Sequence, residues 1–201
     1  MNVHENKVFG LTGGSGAGKS QAAVYMEKCG FGMIDADLIA REVTRSGTQC
    51  LDELAEHFGE GILLDNGELN RKKLGDIVFH DEAKLKTLNK ITHHYIKHSI
   101  KRRLADMDAE FVGINGAVII GGEVEQICKF IVVVDADYDI RLKRIIARDN
   151  LSEEKCRARL NSQPDSAFYR EHADYVIENN TGCEELEKRV QEICEKIKAE
   201  R

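Results

Sequence analysis

The chain has 201 residues, a formal net charge of −6 and six cysteines. The negative charge argues against broad nucleic-acid binding by electrostatics, because such binding calls for a basic face. The cysteines show neither a C-x-x-C pair nor the spacing of metal ligands, so we expect reduced thiols. No window approaches the roughly 18 apolar residues of a membrane span. The N-terminus MNVHENKV is polar, so we expect a soluble, cytoplasmic protein with neither a nucleic-acid nor a membrane partner.

The first elements are predicted to be a strand, a loop and a helix. KVFGLTG is a short β-rich run that ends at glycines, and KSQAAVYMEKCG behind it has helical spacing that closes at Gly30. FGMID predicts a second strand. Short helical segments follow, and DEAKLKTLNKITHHYIKHSIKRRLADM predicts one long helix.

The second half alternates strands with helices. FVGINGAVII and FIVVVDA are apolar runs typical of strands buried on both faces. Two arginine-rich helices, a last strand at ADYVIEN and a closing amphipathic helix come after them. This order predicts an α/β fold with a parallel sheet. Because the helical stretch is too long for one crossover, we expect a core of residues 1–35 and 110–201 and an inserted helical subdomain of residues 36–109.

The stretch GGSGAGKS matches the P-loop pattern G-x-x-x-x-G-K-[ST], and it follows a strand and opens a helix, as that motif requires. Glycines let backbone N–H groups turn toward phosphate oxygens, and the helix N-terminus adds partial positive charge. In such loops the lysine bridges the β- and γ-phosphates of ATP and the final hydroxyl is a Mg²⁺ ligand, here Ser20. The residues expected to bind ATP are therefore Gly13, Gly14, Ser15, Gly16, Ala17, Gly18, Lys19 and Ser20.

Two carboxylates are the best candidates on the side of a phosphate acceptor. Asp35 and Asp37, in MIDAD, follow the second strand, and ligands of open α/β sheets lie beyond the carboxyl ends of the strands. One could act as a base near an attacking hydroxyl and the other as a helix cap or support. For Asp35, a plain helix cap explains the residue as well as a substrate contact does.

Several motifs together resemble those of the dephospho-CoA kinase family, in order and spacing, over nearly the whole chain: LTGGSGAGKS, IDADLIAREV, HFGEGILLDNGELNRKKLGDIVF, LNKITHHYI, IARDNLSEE and ADYVIENN. The resemblance implies transfer of the ATP γ-phosphoryl group to the ribose 3′-hydroxyl of dephospho-CoA, the last step of coenzyme A synthesis. It implies a P-loop fold of the nucleoside-monophosphate-kinase type, with a five-stranded parallel sheet, a helical substrate domain and a small helical lid. ATP and dephospho-CoA are the expected partners, Mg²⁺ is the expected cofactor, and the chain is expected to be a monomer or a weak homo-oligomer.

The resemblance also implies roles for single residues. Asp37 matches the catalytic base, and Gln21 extends the ATP-binding loop at a position where the family often has threonine. The lid falls on residues 141–163, where Arg144 and Arg148 lie one helical turn apart and would close over the phosphates. With Lys19, Arg148 completes the expected catalytic set, whereas the roles of the other lid arginines stay open. The residues expected to contact the acceptor are Asp35, Arg41, Arg71 and His93.

The resemblance breaks at one place. The family usually has an aspartate, a proline and a glutamate where this chain has Asn115, Ala117 and Gly121. An aspartate could hold a Mg²⁺-bound water or orient the acceptor, whereas a neutral asparagine can only hydrogen-bond. We favour an active kinase because the residues that would bear the chemistry are all present. The alternatives are a kinase for another small molecule or nucleotide, and a family member with weakened catalysis that mainly binds nucleotides.

Overall fold

The computed structural model describes residues 7–117 and 119–201. The chain divides into two compact units. The first comprises the described residues up to Ile34 together with Met107–Arg201, and the second is Asp35–Asp106. No described helix combines the length and the apolar character that a membrane crossing demands.

A five-stranded sheet with the order β2-β3-β1-β4-β5 organises the first unit. Strand β1 pairs in parallel with β3 and β4, and β4 pairs in parallel with β5. The predicted α/β fold with a five-stranded parallel sheet is confirmed. The run FVGINGAVII is strand only as far as Asn115, so the prediction of a longer strand there was wrong. The strands are β1 Lys7–Thr12, β2 Gly32–Asp35, β3 Phe111–Asn115, β4 Phe130–Asp135 and β5 Tyr175–Glu178.

The helices include the predicted long helix, whereas the short helix Ser166–Glu171 was not predicted from the sequence. In chain order they are α1 Lys19–Lys28, α2 Ala36–Glu42, α3 Gln49–Phe58, α4 Arg71–Val78, α5 Glu82–Asp106, α6 Tyr138–Asp149, α7 Glu153–Asn161, α8 Ser166–Glu171 and α9 Cys183–Glu200. Between α6 and α7, Asn150 adopts the left-handed conformation (φ 52°), which ends α6.

The core of the first unit lies between the sheet and helices α1 and α9. All residues of β4 are buried, which explains its unbroken apolar sequence. Phe9 is fully buried and stacks on Phe130, with ring centroids 5.2 Å apart. The ring of Phe31 contacts Phe9 edge-on, with ring centroids 5.8 Å apart. These contacts fix β1, the strand that leads into the glycine-rich loop.

The second unit has a hydrophobic core of its own, to which α3, α4 and α5 contribute. Side chains cap three of its helices: Asp35 accepts from the N–H of Leu38, Thr48 from that of Leu51 and Asn70 from that of Lys73. Each bond satisfies one of the free N–H groups at a helix start. The starts of α2, α3 and α4 are therefore set by local sequence.

We expect Phe9→Ala to lower the free energy of unfolding by about 3–5 kcal/mol, because it removes a fully buried ring and leaves a cavity. Phe79→Ala is the matched control, since that ring is 75 % exposed, and it should change stability by no more than about 0.5 kcal/mol. Denaturant unfolding measures both. Equal losses for the two variants would contradict the packing described for β1.

Candidate active site

The glycine-rich loop lies between the end of β1 and the start of α1, and its backbone depends on glycine. Gly13, Gly16 and Gly18 have φ angles of 144°, 78° and 104°, in the region that side chains disfavour. A Cβ at Gly13 would also lie 2.1 Å from the carbonyl oxygen of Val134 in β4. The loop therefore adjoins the sheet at a distance that only glycine permits.

Five successive carbonyl groups of this loop accept hydrogen bonds from side chains. The Lys19 ammonium donates to the carbonyls of Gly13 at 2.7 Å and Gly14 at 3.3 Å. Side chains from α6 and from the end of β5 take the next three: Arg141 Nε to Ser15 at 2.9 Å, Arg144 Nη1 to Gly16 at 3.3 Å and Asn179 Nδ2 to Ala17 at 2.7 Å. We call Arg141, Arg144 and Asn179 the carbonyl clamp.

The clamp residues explain why further positions of the loop are glycine. A Cβ at Gly14 would lie 2.2 Å from Arg141 Nη2, and one at Gly16 would lie 2.6 Å from the Arg141 carbonyl oxygen. A Cβ at Gly18 would lie 2.2 Å from Asn179 Nδ2. A side chain at Gly14, Gly16 or Gly18 would therefore collide with Arg141 or Asn179, in addition to any need for space around a ligand.

Gln163, just beyond α7, holds the middle of the loop. Its Oε1 accepts from the Ser15 N–H at 2.9 Å and its Nε2 donates to Ser15 Oγ at 2.8 Å. Arg141 Nη2 lies 3.4 Å from the same Gln163 Oε1. All three polar groups of Ser15 are therefore engaged by Arg141 and Gln163, which stand at the two ends of the segment predicted as a lid.

A cavity of about 570 Å³ is lined by Arg141 and Gln163 together with Asp135, at the end of β4. The buried Asp135 carboxylate accepts hydrogen bonds from Ser166 and, at 2.7 Å, from Arg170 Nε. Arg170 also bonds Glu178 at 3.0 Å and lowers the pKa of that carboxyl. Arg170 thus pairs with the carboxylates at the ends of both β4 and β5.

The other ATP-side residues have the following positions. Ser20 and Gln21 are exposed in the first turn of α1. Besides its bond to the loop, Arg144 donates to Asn179 Oδ1 at 3.2 Å. Arg148 forms a two-pronged ion pair with Asp149, at 2.5 and 2.9 Å, and lowers the pKa of that carboxyl. Thus Arg144 contacts the loop in this structure, whereas Arg148 pairs with its neighbour.

The acceptor-side residues belong to the second unit. Asp35 caps α2 with a bond of 2.8 Å to the Leu38 N–H, and Asp37 and Arg41 are exposed on the same helix. Arg71 begins α4 and donates to the buried Thr44 hydroxyl at 2.8 Å. Arg71 and His93 line one cavity of about 260 Å³, whose lining includes neither aspartate. The structure therefore brings two of the four predicted acceptor residues to one cavity.

Sequence reasoning left the role of Arg141 open, as one of the lid arginines, and assigned none to Gln163 or Asn179. Asn179 carried the clearest signal, because it is a polar residue at the carboxyl end of a predicted strand, inside the motif ADYVIENN. Gln163 gave none, since its position beside Ser15 arises from a contact 148 residues apart in sequence.

A parallel sheet of this strand order with a glycine-rich phosphate loop between β1 and α1 defines a P-loop kinase. The family model for dephospho-CoA kinase matches residues 7–185, and the chain belongs to the dephospho-CoA kinase family. A dephospho-CoA kinase of Listeria monocytogenes is 37 % identical over 194 residues, covering 95 % of this chain and 97 % of its own length. One of Idiomarina loihiensis is 34 % identical over 186 residues, covering 92 % of each chain. The solved dephospho-CoA kinase from Campylobacter jejuni has a TM-score of 0.66 at 29 % identity, over 96 % of this chain and 97 % of that one.

We expect Gly18→Ala to weaken binding of MgADP by at least about tenfold, because its Cβ would displace Asn179 from the loop. Gly30→Ala is the matched control. Gly30 also has a positive φ, 85°, but a Cβ there would meet nothing within 4 Å. It should cost about 1–2 kcal/mol of stability and leave MgADP binding unchanged. Isothermal titration calorimetry measures the affinities, and equal affinities for the two variants would refute the importance of this contact.

Proposed function

We propose that this chain transfers the γ-phosphoryl group of ATP to the ribose 3′-hydroxyl of dephospho-CoA, giving coenzyme A and ADP. The observation that carries the proposal is a phosphate loop with side chains bound to its carbonyl groups, in a chain that matches the dephospho-CoA kinase family model from residue 7 to residue 185. The loop supplies a place for the triphosphate, and the family supplies the identity of the acceptor.

On the ATP side, the loop and the start of α1 would bind the phosphates. Backbone N–H groups and the positive end of α1 favour anions, and the Lys19 ammonium is within reach of the same loop. Phosphoryl transfer spreads negative charge over the γ-oxygens, so fixed donors that face this charge lower the barrier. We therefore retain Gly13 to Gln21 as the proposed ATP-binding residues.

On the acceptor side, we assign the cavity of Arg71 and His93 to dephospho-CoA. Its walls include apolar side chains such as Leu54, Leu74 and Val78 as well as Arg71. This combination suits part of a substrate that carries phosphates and an arm with methyl and methylene groups. Arg41 would supply further positive charge nearby on α2.

Asp37 is the proposed general base. It is exposed in the first turn of α2, and Asp35 caps that helix. The cap fixes the backbone two residues before Asp37, so Asp35 would support the base through the helix. Asp37 would accept or orient the proton of the 3′-hydroxyl as the oxygen attacks phosphorus in line.

Arg148 is proposed to move onto the transferring group when the α6–α7 segment closes. Its present partner, Asp149, also forms an ion pair with Arg159. Because Arg159 would keep that carboxylate paired, Arg148 could exchange it for phosphate without leaving an unpaired charge. The closed segment would also exclude water from the reaction.

The oxygens near the loop fit a hydrated Mg²⁺ ion. Thr12 Oγ1 and Asn115 Oδ1 are buried at the ends of the paired strands β1 and β3, and neither has a hydrogen-bond partner within residues 7–117 and 119–201. Mg²⁺ prefers oxygen ligands and keeps several waters. We assign Ser20 as its side-chain ligand and the two buried oxygens as partners of its hydration shell. When bound, the ion neutralises charge on the β- and γ-phosphates.

The direct test is to incubate purified protein with MgATP and dephospho-CoA and to follow ADP and coenzyme A by chromatography. We expect stoichiometric formation of both. A panel of other alcohols and nucleotides as acceptors tests the rival kinase activities. ATP binding without any acceptor-dependent release of ADP would instead support a nucleotide-binding protein with weakened catalysis.

Asp37→Asn should lower kcat by about 10²- to 10⁴-fold, because the amide cannot accept the hydroxyl proton. The KM for ATP should stay the same, since the loop is unchanged. Asp76→Asn makes the same change at an exposed position of α4 and should leave kcat unaltered. Steady-state kinetics with both substrates varied gives these values. Full turnover by Asp37→Asn would exclude Asp37 as the base.

A further inference from the structure

The carbonyl clamp determines which way the peptide groups of the phosphate loop face. In a trans peptide, the C=O of one residue and the N–H of the next point in opposite directions. Arg141 holds the carbonyl of Ser15, so the N–H of Gly16 faces away from Arg141. Asn179 holds the carbonyl of Ala17, so the N–H of Gly18 faces away from Asn179. Neither N–H donates to a group within residues 7–117 and 119–201.

The intervening peptide confirms this direction. Arg144 holds the carbonyl of Gly16, and the next N–H, that of Ala17, donates across the loop to the carbonyl of Gly14 at 3.2 Å. The Ala17 N–H therefore faces the interior of the loop, and the Gly16 and Gly18 N–H groups next to it have no acceptor in residues 7–117 and 119–201. A row of inward N–H groups forms the concave site in which backbone binds anions.

We propose that Arg141 and Asn179 are positioning residues, which act on ATP through the loop carbonyls that they hold. The inference rests on the proposed binding of ATP phosphates by this loop. If a loop carbonyl turned inward, its oxygen would face the phosphate oxygens and repel them. Holding these carbonyls outward before the nucleotide arrives removes that ordering cost from binding.

Arg144 sets the orientation of the Asn179 amide. Its Nη2 donates to Asn179 Oδ1 at 3.2 Å, which leaves the Nδ2 donor facing the carbonyl of Ala17. Asn179 is buried, with 5 % of its surface exposed, so solvent cannot replace either bond. Arg144 thus acts on the loop twice, directly at Gly16 and indirectly through Asn179.

Arg141 adds a second effect, because its charge is buried. Only 5 % of the residue is exposed, and its hydrogen bonds go to the neutral oxygens of Ser15 and Gln163. Within residues 7–117 and 119–201 it forms no ion pair with a carboxylate. Buried charges are normally paired, so an anion in the loop would supply the missing opposite charge.

The test is titration calorimetry of the full-length protein with MgADP, a probe that needs no acceptor. Arg141→Met keeps the apolar stem and removes the donors, and Asn179→Asp places a second oxygen against the carbonyl of Ala17. Each should weaken MgADP binding by about tenfold or more. Arg141→Lys, which keeps the charge and part of the donor set, should recover part of the affinity. Asn161→Asp adds the same charge as Asn179→Asp at an exposed residue and should bind MgADP normally.

Two further measurements separate positioning from general structural damage. The KM for ATP should rise in Arg141→Met and Asn179→Asp, while the KM for dephospho-CoA stays close to that of the unaltered chain; both variants should still unfold cooperatively, at a lower temperature because buried polar groups lose their partners. In NMR spectra, the Gly16 and Gly18 amide signals should shift on addition of MgADP in the unaltered chain and shift less in the variants.

Wild-type affinity for MgADP in both variants would overturn the inference. If Arg141→Met does not fold, Arg141→Lys and Asn179→Asp decide, since both retain the size of the buried side chain. Failure of the proposed function has a different signature: the unaltered chain would bind MgADP and yet convert no dephospho-CoA.

Discussion

A loop that binds phosphate through its backbone must keep its carbonyl oxygens away from the anion, and the first unit of this protein is arranged around that constraint. The carbonyl clamp donates to the carbonyls of residues 15 to 17. The clamp residues lie on α6 and directly after β5, and the sheet sets the positions of both elements. The packing of Phe9 against Phe130 aligns β1 with β4 and so places the loop beside these donors.

The second unit has a different proposed role, which is to bind a large phosphate acceptor. Its own hydrophobic core and capped helices leave a cavity lined by apolar side chains and by Arg71. The exposed carboxylate of Asp37 is on a short helix whose start is set by Asp35. Binding of the acceptor and binding of phosphate are therefore assigned to parts of the chain with separate cores.

The sequence predicted the sheet, the long helix and the phosphate loop well, because each depends on a local pattern of apolar residues or glycines. It could not predict the clamp, since Arg141 contacts Ser15 across 126 residues and Asn179 contacts Ala17 across 162. Without a ligand, Arg144 bonds to a loop carbonyl and Arg148 pairs with Asp149, two contacts that spacing and the family resemblance did not predict. The predicted roles of Arg144, Arg148, Asp37, Arg41, Arg71 and His93 remain predictions.

Ser15 is held by Arg141 from the start of α6 and by Gln163 from beyond α7, so the loop and this helical hairpin share one set of bonds. Thermodynamic coupling between two such sites is reciprocal. If nucleotide binding shifts the equilibrium of the α6–α7 hairpin between two arrangements, then a substitution or ligand that favours one arrangement must also change the affinity for nucleotide. Substitutions in α7 that never touch ATP would in that case alter its dissociation constant, and the α6–α7 segment would act as a control on how tightly the product ADP is retained.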